Sequence, residues 1–203
     1  MSRTEVVLAL VTDRRLLLPE RHLADFAAIA ARAGVDLIQV REKGLEDRAL
    51  LEAGASVVQV VTGTGARVLV NGRPDVALAA GAHGVQLPEN GLPVGEVKRA
   101  FPGLVVGASR HSIEGVRRAE AEGADFVLLG PVFPTPGKEE RALGLSVLED
   151  AARSVTVPVY AIGGIEPANA RQAVDAGARG LAAIRAFLES PAAAVHAFRE
   201  ALR

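Results

Sequence analysis

The chain of 203 residues contains no cysteine. That excludes disulfides, thiolate metal sites and a cysteine nucleophile. It also lacks any block of like charge, and its formal net charge is −1. Nucleic acid and anionic membrane are therefore not expected as main partners, and an anionic ligand must be met by local positive groups. No uninterrupted apolar run reaches 18 residues, and Ser2, Arg3, Thr4 and Glu5 precede a short strand. Neither a signal peptide nor a transmembrane helix is expected, and a cytoplasmic location is the default. What is abundant is apolar: 49% hydrophobic against 23% charged residues, the balance of a folded globular chain. The length suits one domain, residues 1–203.

Short apolar runs alternate with helical patterns throughout. Strands are expected at Val6–Val11, Leu37–Val40, Val68–Val70, Gly84–Leu87, Val105–Ala108, Phe126–Leu129, Val159–Ile162 and Leu181–Ile184. Helices are expected at His22–Ala33, Leu45–Val61, Asp75–Ala80, Val94–Ala100, Ser112–Glu122, Leu145–Ser154, Pro167–Ala176 and Ala192–Leu202. In the first helix Leu23, Phe26, Ile29 and Ala30 share a face. The strand runs are continuously apolar, as in a parallel sheet covered on both faces. Gly34-Val-Asp, Gly81-Ala-His, Gly123-Ala-Asp and Gly177-Ala-Arg each stand between a helix end and an even-numbered strand, so two units make one repeat. Each glycine fits a left-handed cap. Eight strand–helix units of about 25 residues predict an α/β fold, a single (β/α)8 TIM barrel near the small end of its size range. A doubly wound open sheet shares the alternation but would show edge strands.

In such a barrel, side chains at the C-terminal strand ends converge on one mouth. Here these are Gln39, Arg41 and Lys43 from strand 2, Asn71 from strand 3, Gln86 from strand 4, Ser109 and His111 from strand 5, Thr135 and Lys138 from the strand 6 loop, Gly163-Gly164 from strand 7 and Arg185 from strand 8. Gly163-Gly164 before a helix start signals phosphate, because bare backbone N–H groups can approach an anion; an ordinary tight turn has the same spelling. Arg185 either completes that site or is solvated. Gln39, Arg41 and Lys43 alternate onto one face. They either meet an anion or heterocycle or form a surface loop salt-bridged through Glu42. Lys138 is a lid lysine or a solvated one. His111 follows a strand directly before the N-cap Ser112, and is a general base near neutral pH or an ordinary loop histidine. His22, His83 and His196 read as structural or solvated. No His/Asp/Glu group has metal-ligand spacing. Glu42 and Glu89 are the nearest acids, too few for a two-carboxylate Mg²⁺ site.

Five stretches together resemble the thiamine-phosphate synthase superfamily: Gln39-Val-Arg-Glu-Lys43, Asn71-Gly-Arg-Pro-Asp-Val-Ala-Leu78, Gly84-Val-Gln-Leu-Pro88, Gly130-Pro-Val-Phe-Pro-Thr-Pro-Gly-Lys138 and Ala161-Ile-Gly-Gly-Ile165. The resemblance spans nearly the whole chain and implies small (β/α)8 barrels with two activities. The synthase joins an aminopyrimidine diphosphate to a thiazole phosphate with Mg²⁺. Its pattern has Asn-Asp after strand 3 and another Asp after strand 4, where this chain has Asn71-Gly72 and Gly91. The second threonine of its Thr-Pro-Thr-Lys loop is Gly137 here. The thiazole tautomerase branch lacks those carboxylates and has Asn-Gly-Arg, Val-Gln-Leu-Pro and Ser-x-His-Ser. This chain has Asn71-Gly72-Arg73, Val85-Gln86-Leu87-Pro88 and Ser109-Arg110-His111-Ser112. A serine common at the strand 8 phosphate site is Arg185.

The resemblance implies a cofactor-free thiazole tautomerase that aromatises a carboxythiazole phosphate. In it His111 moves the proton between ring C2 and the exocyclic carbon. Gly163, Gly164 and Arg185 hold the phosphate, and Arg41 or Lys43 meets the carboxylate. Gln39, Asn71, Gln86, Ser109, Thr135 and Lys138 complete the substrate site. The expected partner is the small thiazole phosphate, with a homodimer left open. Two alternatives remain: the Mg²⁺-dependent synthase, and a non-catalytic regulatory barrel that binds thiamin intermediates.

Overall fold

The computed structural model describes residues 6–18, 21–135 and 139–203. Eight parallel strands close a barrel in chain order, with β8 paired back onto β1. They are β1 (Val7–Val11), β2 (Leu37–Val40), β3 (Arg67–Asn71), β4 (Gly84–Leu87), β5 (Val105–Arg110), β6 (Phe126–Leu129), β7 (Val159–Ile162) and β8 (Gly180–Ala183). Eight helices follow them: α1 (Leu23–Ala33), α2 (Asp47–Val61), α3 (Pro74–Ala79), α4 (Val94–Ala100), α5 (Ile113–Ala121), α6 (Gly144–Arg153), α7 (Pro167–Asp175) and α8 (Pro191–Ala201). The chain is a single (β/α)8 TIM barrel. No helix among the described residues is long and apolar enough to cross a membrane.

Local chemistry sets the element ends. Gly34, Gly81, Gly123 and Gly177 all have positive φ, as the repeated caps require. Ser112 caps α5 by accepting the Gly115 N–H at 3.1 Å. In α1 the buried stripe is Phe26, Ala27, Ala30 and Ala31, whereas Ile29 is 44% exposed. The expected face is thus rotated: small alanines let α1 lie close to the strands and turn Ile29 outward. Strand β5 runs two residues beyond its apolar stretch because Ser109 and Arg110 still pair with Leu128 and Leu129 of β6.

The apolar core has two parts. The larger lies between strands and helices. The smaller fills the barrel itself with Ala9, Val11, Leu37, Leu69, Phe126, Leu128, Tyr160 and Ala182. Tyr160 stacks on Phe126 with ring centroids 4.7 Å apart. Period-two alternation carries these inward rows upward to Gln39, Asn71, Gln86 and Ser109. The interior therefore changes from apolar to polar toward the C-terminal strand ends, and this places the site.

Gly107 sits at that change. A Cβ there would strike the Gln86 amide and the Phe126 ring. Gly107→Ala is expected to lower the unfolding free energy by about 1–3 kcal/mol through overpacking, read from denaturant unfolding.

Candidate active site

Two amide pairs line the upper barrel. Gln39, 2% exposed, donates from Nε2 to Asn71 Oδ1 at 3.1 Å. Gln86, 1% exposed, donates from Nε2 to Ser109 Oγ at 2.9 Å. These four expected residues thus meet in pairs. The remaining Gln86 oxygen has no partner among the described residues.

At the end of β2, Arg41 is half-buried and Lys43 exposed. The Arg41 guanidinium makes no hydrogen bond or ion pair with the described residues. Its charge still reaches Asp13, whose carboxyl lies below the usual range, chiefly because Arg15 donates to it. Glu42 does form an ion pair, with the Arg14 guanidinium at 4.0 Å, but from a buried position and not from a surface loop. Glu42 is buried, taking the Thr12 hydroxyl on Oε1 and the Arg14 N–H at 2.9 Å on Oε2. Thr12 Oγ1 in turn accepts the Arg41 N–H at 3.1 Å. A buried carboxylate thereby ties the mouth ends of β1 and β2 and anchors the backbone of Arg41. Sequence reasoning missed this network; its one signal was a charged residue between two mouth-facing ones.

His111 is exposed directly after β5. Its Nδ1 meets the Gly130 carbonyl, and its N–H donates to Glu89 Oε2 at 3.0 Å. A carbonyl only accepts, so Nδ1 carries a proton, and in the tautomer this bond selects Nε2 is the acceptor. Glu89 also faces Arg118 at 4.0 Å. The other histidines stand elsewhere: His83 Nδ1 accepts the Val68 N–H, His22 stands at the N-cap position of α1 with no capping bond from its ring, and His196 lies beside Glu200 on α8.

Gly163 and Gly164 have φ of +91° and +64°. A Cβ on Gly163 would strike Pro131, and one on Gly164 would lie 2.7 Å from Phe133 Cβ. Close approach of the β6 loop is thus a sufficient reason for both glycines. That loop takes two carbonyls: Val132 N–H donates to Ile162 O at 2.9 Å and Phe133 N–H to Gly163 O at 3.0 Å. In a trans peptide the N–H points opposite to its carbonyl. The Gly163 and Gly164 N–H groups therefore face away from the loop, and no acceptor among the described residues takes them. Arg185, beyond β8, is exposed and its guanidinium is likewise without a partner among the described residues. Thr135 is turned to its own loop, Oγ1 reaching Phe133 O at 3.3 Å. Lys138 lies outside the described residues. Arg73, of the Asn71-Gly72-Arg73 motif, is held between Asp75 and Asp47 on α3 and α2, and holds the Asp75 carboxyl below its usual range.

A Mg²⁺ ion would need oxygen donors at this mouth. Gly72 and Gly91 have no side-chain oxygen to offer, and Asn71 Oδ1 is already engaged by Gln39. Glu42 is buried in its own network and Glu89 accepts the His111 N–H. Among the described residues no three His, Cys, Asp or Glu side chains form a group able to hold a metal. The residues present do not fit a carboxylate-anchored ion.

A cleft of about 1370 Å³ lies at the opposite end, beneath the starts of β1 and β7. Its walls include Glu149–Arg153 and Arg199, which are tied into ion pairs with their own neighbours. The engaged amides, and the Arg41, Arg185, Gly163 and Gly164 donors that have no partner among the described residues, stand at the mouth and not at that cleft.

The family model described as thiamine monophosphate synthase matches residues 8–187. The chain is 44% identical over 184 residues to a thiamine-phosphate synthase of Methanoculleus marisnigri, covering 89% of this chain and 87% of that one. It is 40% identical over 187 residues to the thiamine-phosphate synthase of Pyrococcus furiosus, covering 92% and 88%. Among solved structures it resembles thiamine phosphate pyrophosphorylase from Pyrococcus furiosus, with TM-score 0.88, 36% identity and coverage of 98% and 96%. These matches overturn the expected thiazole tautomerase: relatives this similar over most of both chains carry the synthase name. That expectation gave most weight to Gly72 and Gly91. Two missing carboxylates bear on how an anion's charge is met; they do not decide which bond is made.

Proposed function

The chain belongs to the thiamine monophosphate synthase family, and on that premise we propose that it is a transferase joining an aminopyrimidine diphosphate to a thiazole phosphate. The observation that supports this reading is that the mouth has two separate groups of donors without partners among the described residues. One is Arg41 at the end of β2, half-buried and with no hydrogen-bond partner on its guanidinium among the described residues. The other is the pair of bare N–H groups at Gly163 and Gly164, with Arg185 one strand away. Two phosphorylated substrates call for two such places.

In the reaction the bond from the pyrimidine methylene to the diphosphate oxygen breaks. The thiazole nitrogen supplies the electron pair for the new carbon–nitrogen bond, and diphosphate leaves with the electrons of the old one. Negative charge grows on the departing oxygen, so a fixed cation beside it favours the transition state over the ground state. Arg41 is assigned that task, with Lys43 beside it. Gly163, Gly164 and Arg185 hold the thiazole phosphate and aim its ring nitrogen. The Gln39–Asn71 and Gln86–Ser109 pairs present fixed polar edges to the pyrimidine. His111 offers Nε2 as an acceptor to a ligand N–H or O–H; with the isomerase reading overturned, no proton shift is assigned to it. Since the donor set does not fit Mg²⁺, no step is routed through a metal.

The test is an omission experiment. The purified chain is incubated with both substrates and with each alone, and products are identified by mass spectrometry. The joined thiamine phosphate is expected only when both are present. Binding of both ligands without any joined product would overturn the transferase and favour the non-catalytic binding barrel.

A further inference from the structure

We infer that Asn169 is a positioning residue for the phosphate cradle at Gly163-Gly164, an inference that rests on the phosphate site proposed above. Asn169 lies in the first turn of α7, half-buried, and touches the cradle twice. Its Oδ1 accepts the Glu166 N–H at 2.9 Å, and its Nδ2 donates to the Gly164 carbonyl at 2.8 Å.

The second bond completes a series. Three consecutive carbonyls leave β7 already occupied: Ile162 by the Val132 N–H, Gly163 by the Phe133 N–H and Gly164 by the Asn169 amide. Each trans peptide plane turns its N–H opposite to its carbonyl. Holding those carbonyls therefore fixes the N–H directions of Gly163, Gly164 and Ile165, none of which meets an acceptor among the described residues. Two planes are set by the β6 loop, and only the third is set by a side chain. Without Asn169, no donor among the described residues holds the Gly164 carbonyl, and Gly164 on one side of that plane has the freedom to let it turn. The glycines supply the close approach; Asn169 supplies the aim. No spacing rule flags this residue, because an Asn in a first helical turn reads as an ordinary capping group.

Inorganic phosphate is the probe, titrated calorimetrically into the wild type, Asn169→Ala and Asn169→Asp. The aspartate keeps an acceptor for the Glu166 N–H, so the start of α7 stays closed, but it cannot donate to Gly164. Both variants are expected to bind phosphate about 10–100-fold more weakly, the loss of one charge-assisted hydrogen bond. With both substrates, KM for the thiazole phosphate should rise while kcat stays near wild type. Binding of the dephosphorylated thiazole should not change, which a merely structural defect would not spare. Wild type that binds no phosphate would overturn the phosphate site and this inference together. Variants that bind phosphate as wild type does would overturn the role of Asn169 alone.

Discussion

Arg41→Ala is expected to lower kcat for diphosphate release by about 10²–10³-fold, the cost of removing one fixed donor from a developing anion. The argument rests on where the charge stands and what it lacks. Arg41 follows Gln39 by two residues at the end of β2, its backbone N–H is anchored on Thr12, and its guanidinium has no partner among the described residues. The one carboxylate its charge reaches, Asp13, is already bonded by Arg15, and a half-buried cation without a hydrogen-bonded anion is costly until one completes it. Arg41→Lys keeps the charge but loses the planar fork that meets phosphate oxygens in pairs, so most of the loss should remain. Guanidinium ion added to Arg41→Ala should restore part of the rate. A steady-state assay with saturating substrates checks both points, and an unchanged kcat in Arg41→Ala would remove the residue from the chemistry.

The next residue carries the second large effect, and it acts on stability. Glu42→Ala is expected to cost about 3 kcal/mol of unfolding free energy, because it strands buried donors that now share one carboxylate. For a chain of this size that is a fall in melting temperature of about 6–12 °C. The donors are the Thr12 hydroxyl and the Arg14 N–H, both from the far end of β1. Glu42→Gln can still accept one of them and should lose about half as much. Since Thr12 also accepts the Arg41 N–H, activity should fall with stability in both variants. Thermal unfolding and the same kinetic assay measure the two together. Full stability in Glu42→Ala would mean that water replaces the carboxylate without loss.

These neighbours show what the sequence made legible. Continuous apolar runs and regularly placed glycines were enough for the barrel, because each parallel strand covered on both faces must be apolar and each helix must end before the next strand. The meeting of Gln39, Asn71, Gln86 and Ser109 at one mouth was expected from their place at C-terminal strand ends, and the structure joins these residues pairwise. The orientation of α1 was less legible: the Phe26–Ala27–Ala30–Ala31 stripe wins over one containing Ile29 because alanines permit closer packing. The networks behind the mouth could not be read at all. Glu42 meets residues 28 and 30 positions away, contacts that only barrel closure creates. Asn169 acts on a carbonyl five residues away, a bond that depends on the two positive-φ glycines before it. The choice between the two activities went wrong for another reason. Gly72 and Gly91 report what is missing from the mouth, while the Arg41 guanidinium and the Gly163 and Gly164 N–H groups, without partners among the described residues, report what is available there.

The central claim is that this mouth joins two phosphorylated ring substrates and expels diphosphate. The most direct test is a single-turnover reaction with both substrates and enzyme in excess, following diphosphate and joined product in the same samples. The account predicts that the two appear at the same rate and in equal amounts, and that neither appears when the thiazole phosphate is left out. Diphosphate released without joined product, or no diphosphate at all from folded protein with both substrates bound, would contradict it.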